Sequence, residues 1–125
     1  MPCVPVAGIQ MGIYTVPPIG SSVWVEFEQG DPDYPIWVGC FWSDGQVPTE
    51  ASAASIKLLK TDALTLTVDD SSGGQGVTLE VSSPAVTTSI KIALTSSGVE
   101  ISTGNASVKL DPTSVSLNDG ALQVM

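Results

Sequence analysis

The chain contains no histidine and no arginine, and its four lysines face thirteen Asp and Glu for a formal net charge of −9. The missing imidazole removes the commonest general base and the commonest metal ligand. Serine–histidine and cysteine–histidine catalysis are thereby excluded, as are zinc sites that use histidine. The surplus of acid opposes binding to nucleic acid or anionic lipid, because both are held through Lys and Arg on phosphate. No apolar run reaches the ~20 residues a membrane-spanning helix needs. The uncharged N-terminal stretch Met1–Val25 is broken by Pro2, Pro5, Gly8, Gly12, Pro17, Pro18 and Gly20, with no basic region before it, so no signal peptide is read there. What remains in 125 residues is rich in Val, Ser and Thr and only 14% charged. That composition suits strands and gives little support to helices. It predicts an all-β, structural protein rather than an enzyme, with no cofactor.

The two cysteines, Cys3 and Cys40, fit no metal or redox spacing. They read as two thiols packed as small hydrophobes in a protein made in the cytoplasm, with a disulfide between neighbouring strands as the alternative.

Composition changes near Pro48. Every Trp (Trp24, Trp37, Trp42), both Tyr and both Phe lie before it, with no Lys, and Pro48 is the seventh of the nine prolines; from Ala51 onward there is no aromatic residue. The stretch Ser43–Ser55, SDGQVPTEASAAS, has linker chemistry and divides residues 1–48 from residues 49–125. In the first part Ser22–Glu28 alternates, with Val23, Val25 and Phe27 on one face and Trp24, Glu26 and Glu28 on the other. Gln29–Pro35 is a turn, and Ile36–Trp42 returns as a second strand with a bulge or close approach near Gly39. Val4–Val16 supplies one or two further strands. The second part reads as eight short strands: Ile56–Leu58, Leu64–Val68, Val77–Val81, Ile90–Leu94, Val99–Ile101, Val108–Leu110, Val115–Leu117 and Leu122–Val124. Val108, Val115 and Leu122 recur seven apart, a repeat of strand size.

Each of these strands carries one aliphatic face, and the sequence offers neither a helix nor aromatic rings to cover it. Open strand edges with an uncovered apolar face are an aggregation hazard. The strands either fold on themselves as a small sandwich or solenoid, or several chains wrap around one axis with the aliphatic residues inside. Narrow strands, tight turns and a ring-free core favour a thin prism of three chains.

Pro17–Trp42, PPIGSSVWVEFEQGDPDYPIWVGCFW, resembles the signature of the phage baseplate assembly protein V family, the central spike proteins of contractile tails and of related injection systems. The resemblance rests on Pro18, Gly20, Val23, Trp24, Val25, Glu26, Phe27, Gly30, Asp31, Pro32, Pro35, Trp37 and Gly39, about a fifth of the chain. It implies a partial OB-type β-barrel over residues 1–48, with Gly20, Trp24, Gly30, Asp31, Pro32, Trp37 and Gly39 as its structural motif. It implies an intertwined trimeric β-helix, the needle, over residues 49–125. Val99, Ile101, Val108, Leu110, Val115, Leu117, Leu122 and Val124 are then the trimer core. The implied role is a membrane-piercing spike in a virion tail baseplate or injection particle. Its partners are two further copies, tube, hub and baseplate proteins, a transiently touched target membrane and no nucleic acid. Two departures stand out. Nineteen residues precede Gly20, where the family usually places two or more barrel strands, so Met1 is expected not to be the biological start. The His-x-His metal site that ends some relatives is absent, which implies a separate tip protein.

Other residues read more plainly. Glu28, Asp31 and Asp33 suggest hairpin-turn chemistry rather than a calcium loop, and Asp69-Asp70 a solvated turn. Lys57, Lys60, Lys91 and Lys109 keep strand surfaces soluble, or form a ladder between chains with Glu80 and Glu100. The rival reading is a small OB-type glycan-binding module with a β-rich tail, which recognises sugar through a face made by its tryptophans.

Overall fold

The computed structural model describes residues 6–73 and 76–124. They form twelve strands and one 3₁₀ turn, with no α-helix among them. The chain divides into two compact units, Met1–Pro48 and Thr49–Met125.

The first unit holds two separate hairpins. Strands β1 (Ala7–Gly8) and β2 (Met11–Gly12) make a minimal one. The second joins β3 (Ser22–Phe27) to β4 (Pro35–Phe41). Its loop is closed by Glu28 N–H donating to Tyr34 O at 3.0 Å and Asp31 N–H to Glu28 O at 2.9 Å. Gln29 and Gly30, at φ 52° and 79°, turn the chain through the left-handed region. Register runs Trp24 opposite Gly39 but Val25 opposite Trp37, so Val38 is the extra residue of a β-bulge beside Gly39. The Trp37 indole N–H donates to Gly39 O at 2.7 Å across it.

The second unit is one antiparallel sheet of eight strands in strict sequence order. They are β5 (Ile56–Lys60), β6 (Leu64–Asp69), β7 (Gly76–Val81), β8 (Ile90–Thr95), β9 (Gly98–Thr103), β10 (Ala106–Leu110), β11 (Val115–Leu117) and β12 (Leu122–Val124). Connections are short, so each strand lies beside its sequence neighbour. The result is neither a sandwich nor a solenoid, because no second layer forms within the chain. Each inner strand has both edges occupied by its own neighbours, so the main-chain pairing of this sheet lies within one chain. Strands shorten from six residues in β6–β9 to three in β11 and β12. At ~3.3 Å per residue the sheet narrows from about 20 Å to about 10 Å, and seven interstrand steps make it about 34 Å long.

Among the described residues no hydrophobic side chain is fully buried, and Ser114 is the one buried polar residue. The accessible surface is 9622 Å². A compact 12.9 kDa chain exposes about 6,300 Å², and two compact units of these sizes about 7,600 Å². About 2,000 Å² or more of surface therefore lacks the cover a self-sufficient fold provides.

Tight strand entry depends on glycine at two points. Gly76 (φ 70°) and Gly98 (φ 136°) open β7 and β9, and a Cβ there would lie 2.2 Å from Leu94 O and 2.0 Å from Leu110 O. Gly120 has a positive φ of 98° but open space around it. Gly98→Ala is expected to cost more than about 3 kcal/mol, since steric overlap adds to conformational strain, and Gly120→Ala about 1–2 kcal/mol. Thermal denaturation of the two variants checks the order.

Candidate functional site

Antiparallel partners share a face, so register alone assigns the two faces of the large sheet. One face is aliphatic from edge to edge. Its middle row runs Leu59, Leu66, Leu79, Ile92, Ile101, Val108, Leu117, Leu122, one residue per strand. A second row runs Lys57, Val68, Val77, Leu94, Val99, Leu110, Val115, Val124, and a shorter third row Leu64, Val81, Ile90, Thr103, Ala106. The two polar members are Lys57, on the edge strand β5, and Thr103, the last residue of β9. Leu59, Leu122 and Val124 remain 56%, 58% and 63% exposed.

The eight residues expected in a trimer core all fall on this face, in its first and second rows. The face also extends to Leu59, Leu66, Leu79 and Ile92, which the sequence reading left out of the core although their alternation carries the same signal. Strand β5 departs from the expected alternation. Ile56 and Leu58 pair with Asp69 and Thr67 on the opposite face, and Leu59 is the residue of β5 that joins the apolar row.

Beyond Ile56 and Leu58 of β5 and Ala93 of β8, the opposite face is mainly Thr, Ser and scattered charge. Lys91 lies opposite Glu80, and Lys109 opposite Glu100, in neighbouring strands of one chain. The lysine ladder expected between chains is thus aligned within each chain instead. The ion pairs formed are Lys57 with Asp70 at 2.6 Å, Lys109 with Asp119 at 2.5 Å, and Lys60 with Glu50. Lys109 is held above the usual lysine range by the Asp119 carboxylate and then by Glu100. The Lys60 ammonium draws the Glu50 carboxyl below its ordinary value. Such exposed pairs add little stability.

In the first unit the barrel-motif residues sit on or beside the β3–β4 hairpin. Gly20 precedes β3 at φ 95°, Gly30 turns the loop, and Gly39 receives the Trp37 indole. Asp31 Oδ1 accepts Asp33 N–H at 3.0 Å, which makes Gly30-Asp31-Pro32 a turn. The tryptophans do not form one face. Trp24 stacks on Phe41 with ring centroids 5.1 Å apart, whereas register places Trp37 on the other side of the hairpin. Cys40 is a free, exposed thiol, and Cys3 lies outside the described residues. Among the described residues no group of three or more Cys, Asp or Glu could hold a metal ion. No helix among them is long and apolar enough to cross a membrane.

Family comparison gives the uncovered face a meaning. Residues 51–123 match the phage baseplate V C-terminal trimerisation domain, and residues 1–42 match the type VI secretion system/phage-baseplate injector OB domain. The chain belongs to the phage baseplate V family. No curated protein and no solved structure gives a match. All of the aliphatic face but Val124 lies inside the segment matched to the trimerisation domain, so the surface that needs cover and the region that associates in the family coincide. A baseplate structural role follows for this baseplate V chain.

The β10–β11 turn fixes the register of Leu110 opposite Val115. Asp111 Oδ1 accepts Thr113 N–H at 2.9 Å, Thr113 Oγ1–H at 2.9 Å and Ser114 N–H at 2.8 Å, and its Oδ2 accepts Ser114 Oγ–H at 2.7 Å. These donors, led by Thr113 N–H, lower its carboxyl from 3.8 to about 2. A depressed folded value means the stability it contributes is complete above 3.8 and is lost as pH falls towards 2. Asp111→Asn is expected to flatten that part of the acid denaturation curve followed by circular dichroism, while its behaviour near pH 7 is that of a chain already lacking the anionic acceptor.

Proposed function

We propose that this chain is the central spike of a contractile phage tail or related injection system, built as a three-walled β-prism over residues 49–125. Three copies turn their aliphatic faces to one axis, and each chain supplies one wall. The observation that carries the reading is the unbroken apolar row from Leu59 to Leu122, one residue per strand, with nothing in the chain to cover it. The right-handed twist of each sheet winds the three walls about one another, which is the form intertwining takes when strands pair within chains. Narrowing strands give the prism a taper towards β12. Its work is mechanical: the needle is driven through a target envelope, and its sparsely charged, acidic outer face resists adhesion to anionic membrane. The OB-type unit, residues 1–48, joins the spike to tube, hub and baseplate proteins. A separate tip protein meets the narrow end, and no reaction is catalysed. Separation of the walls exposes every apolar row at once, which confers kinetic stability.

Ile101→Asp would set three unpaired charges among Ile92 and Val108 side chains from three walls, at about 3–5 kcal/mol for each uncompensated buried charge. Light scattering after size exclusion should give three chains for the native protein and one for Ile101→Asp. Ser102→Asp, on the outer face, should remain at three. A monomeric native chain, or a trimeric Ile101→Asp, would refute the prism.

A further inference from the structure

We propose that the β8–β9 hairpin, residues 90–105, is an interchangeable course of the wall, so that the reach of the spike is set by the number of such hairpins in the chain. The inference rests on the trimeric reading above. Residues 90–105 align with residues 106–121 position for position. Leu94 matches Leu110, Val99 matches Val115 and Gly104 matches Gly120, while Ile92 and Ile101 meet Val108 and Leu117. The preceding strand belongs to the same series: β7 reads GVTLEV and β9 reads GVEIST.

The seams on the two sides of this hairpin are the same. Where β7 meets β8, Val77 lies opposite Leu94 and Leu79 opposite Ile92. Where β9 meets β10, Val99 lies opposite Leu110 and Ile101 opposite Val108. The close approach repeats as well. A Cβ at Gly76 would stand 2.2 Å from Leu94 O, and one at Gly98 would stand 2.0 Å from Leu110 O. The edge that β9 offers to β10 is therefore the edge that β7 offers to β8. Removal of residues 90–105 would bring β7 onto β10 in the existing register, with Val77 opposite Leu110, Leu79 opposite Val108 and Gly76 beside Leu110 O. Two strands leave together, so chain direction and the parity of the apolar face are both kept. Turns at the wall margin differ, Ser96-Ser97 in one hairpin and residues 111–114 in the next, while the seam does not change. Such a stack gains its stability from each unit and its nearest neighbours, which lets units be removed or added.

Two variants of the full chain test this, one lacking residues 90–105 and one carrying a second copy of them after Asn105. Each is compared with the native chain by light scattering after size exclusion and by small-angle X-ray scattering. Both variants should remain at three chains. Their maximum dimensions should be shorter and longer than the native value by about 10 Å, two interstrand spacings. A native trimer beside a variant that is monomeric or aggregated overturns the interchangeable course and leaves the prism standing. Two trimeric variants without that change of length overturn it equally. A native monomer overturns both the prism and the course.

Discussion

Everything in this chain turns on an aliphatic sheet face that cannot be covered from within. Eight strands laid side by side pair their main-chain polar groups with one another except at the two sheet edges, so hydrogen bonding is satisfied locally. Hydrophobic burial is not. Side chains in one layer gain only the lateral contact of their neighbours, which is why no hydrophobic residue among the described ones is fully buried. A fold with satisfied main chain and unsatisfied side chains is an interface in search of its partner. In the proposed prism, association through the matched trimerisation region supplies the missing layer, because three walls around an axis are the fewest that enclose one. Folding of the sheet and assembly of the trimer are thereby coupled in energy, although the strand pairings themselves are local and of low contact order.

The remaining chemistry protects that arrangement. Asp111 spends its whole hydrogen-bonding capacity on one four-residue turn, holding Leu110 and Val115 in the same row. Glycine at Gly76 and Gly98 lets carbonyls of the neighbouring strands β8 and β10 approach where any side chain would collide. Both lysines of β5, the first strand of the sheet, meet carboxylates, Lys57 with Asp70 and Lys60 with Glu50. Charge on an edge strand discourages further pairing along it. None of these contacts is strong alone. Together they keep each apolar residue in register, and a slip of one residue would turn a whole strand's aliphatic set to solvent.

Much of this was legible in the sequence because period-two alternation is unambiguous where Ser and Thr separate Val, Leu and Ile. All eight strands of the second unit, and the β3–β4 hairpin with a bulge beside Gly39, follow from it. The sheet order does not follow from alternation itself; it follows from turn length. Ile56-Lys57-Leu58-Leu59 shows the limit: with apolar residues of both parities present, only pairing with Leu66 shows that Leu59 faces the apolar side. The partners of the lysines were equally hidden. Lys57 and Asp70, or Lys109 and Asp119, are ten or more residues apart and meet through hairpin geometry rather than spacing. The placing of Phe41 on the Trp24 face depends on the bulge at Val38, which shifts the parity of everything after it.

The unequal distribution of aromatic residues now has a physical reason. In the proposed prism a wall of the second unit contributes two or three inward side chains per strand, and equivalent positions from three walls meet at the same height on the axis. A ring at such a position would be counted three times in a narrow space, and overpacking displaces main chain. Leu, Ile and Val fill the layer without that demand, and their number supplies the area. The first unit has the opposite problem. Its hairpins offer few residues, so each must bury more surface, and Trp or Phe provides 150–250 Å² apiece. All seven aromatic residues therefore lie before Pro48, and the composition break near Pro48 marks a change from burial by large side chains to burial by repetition.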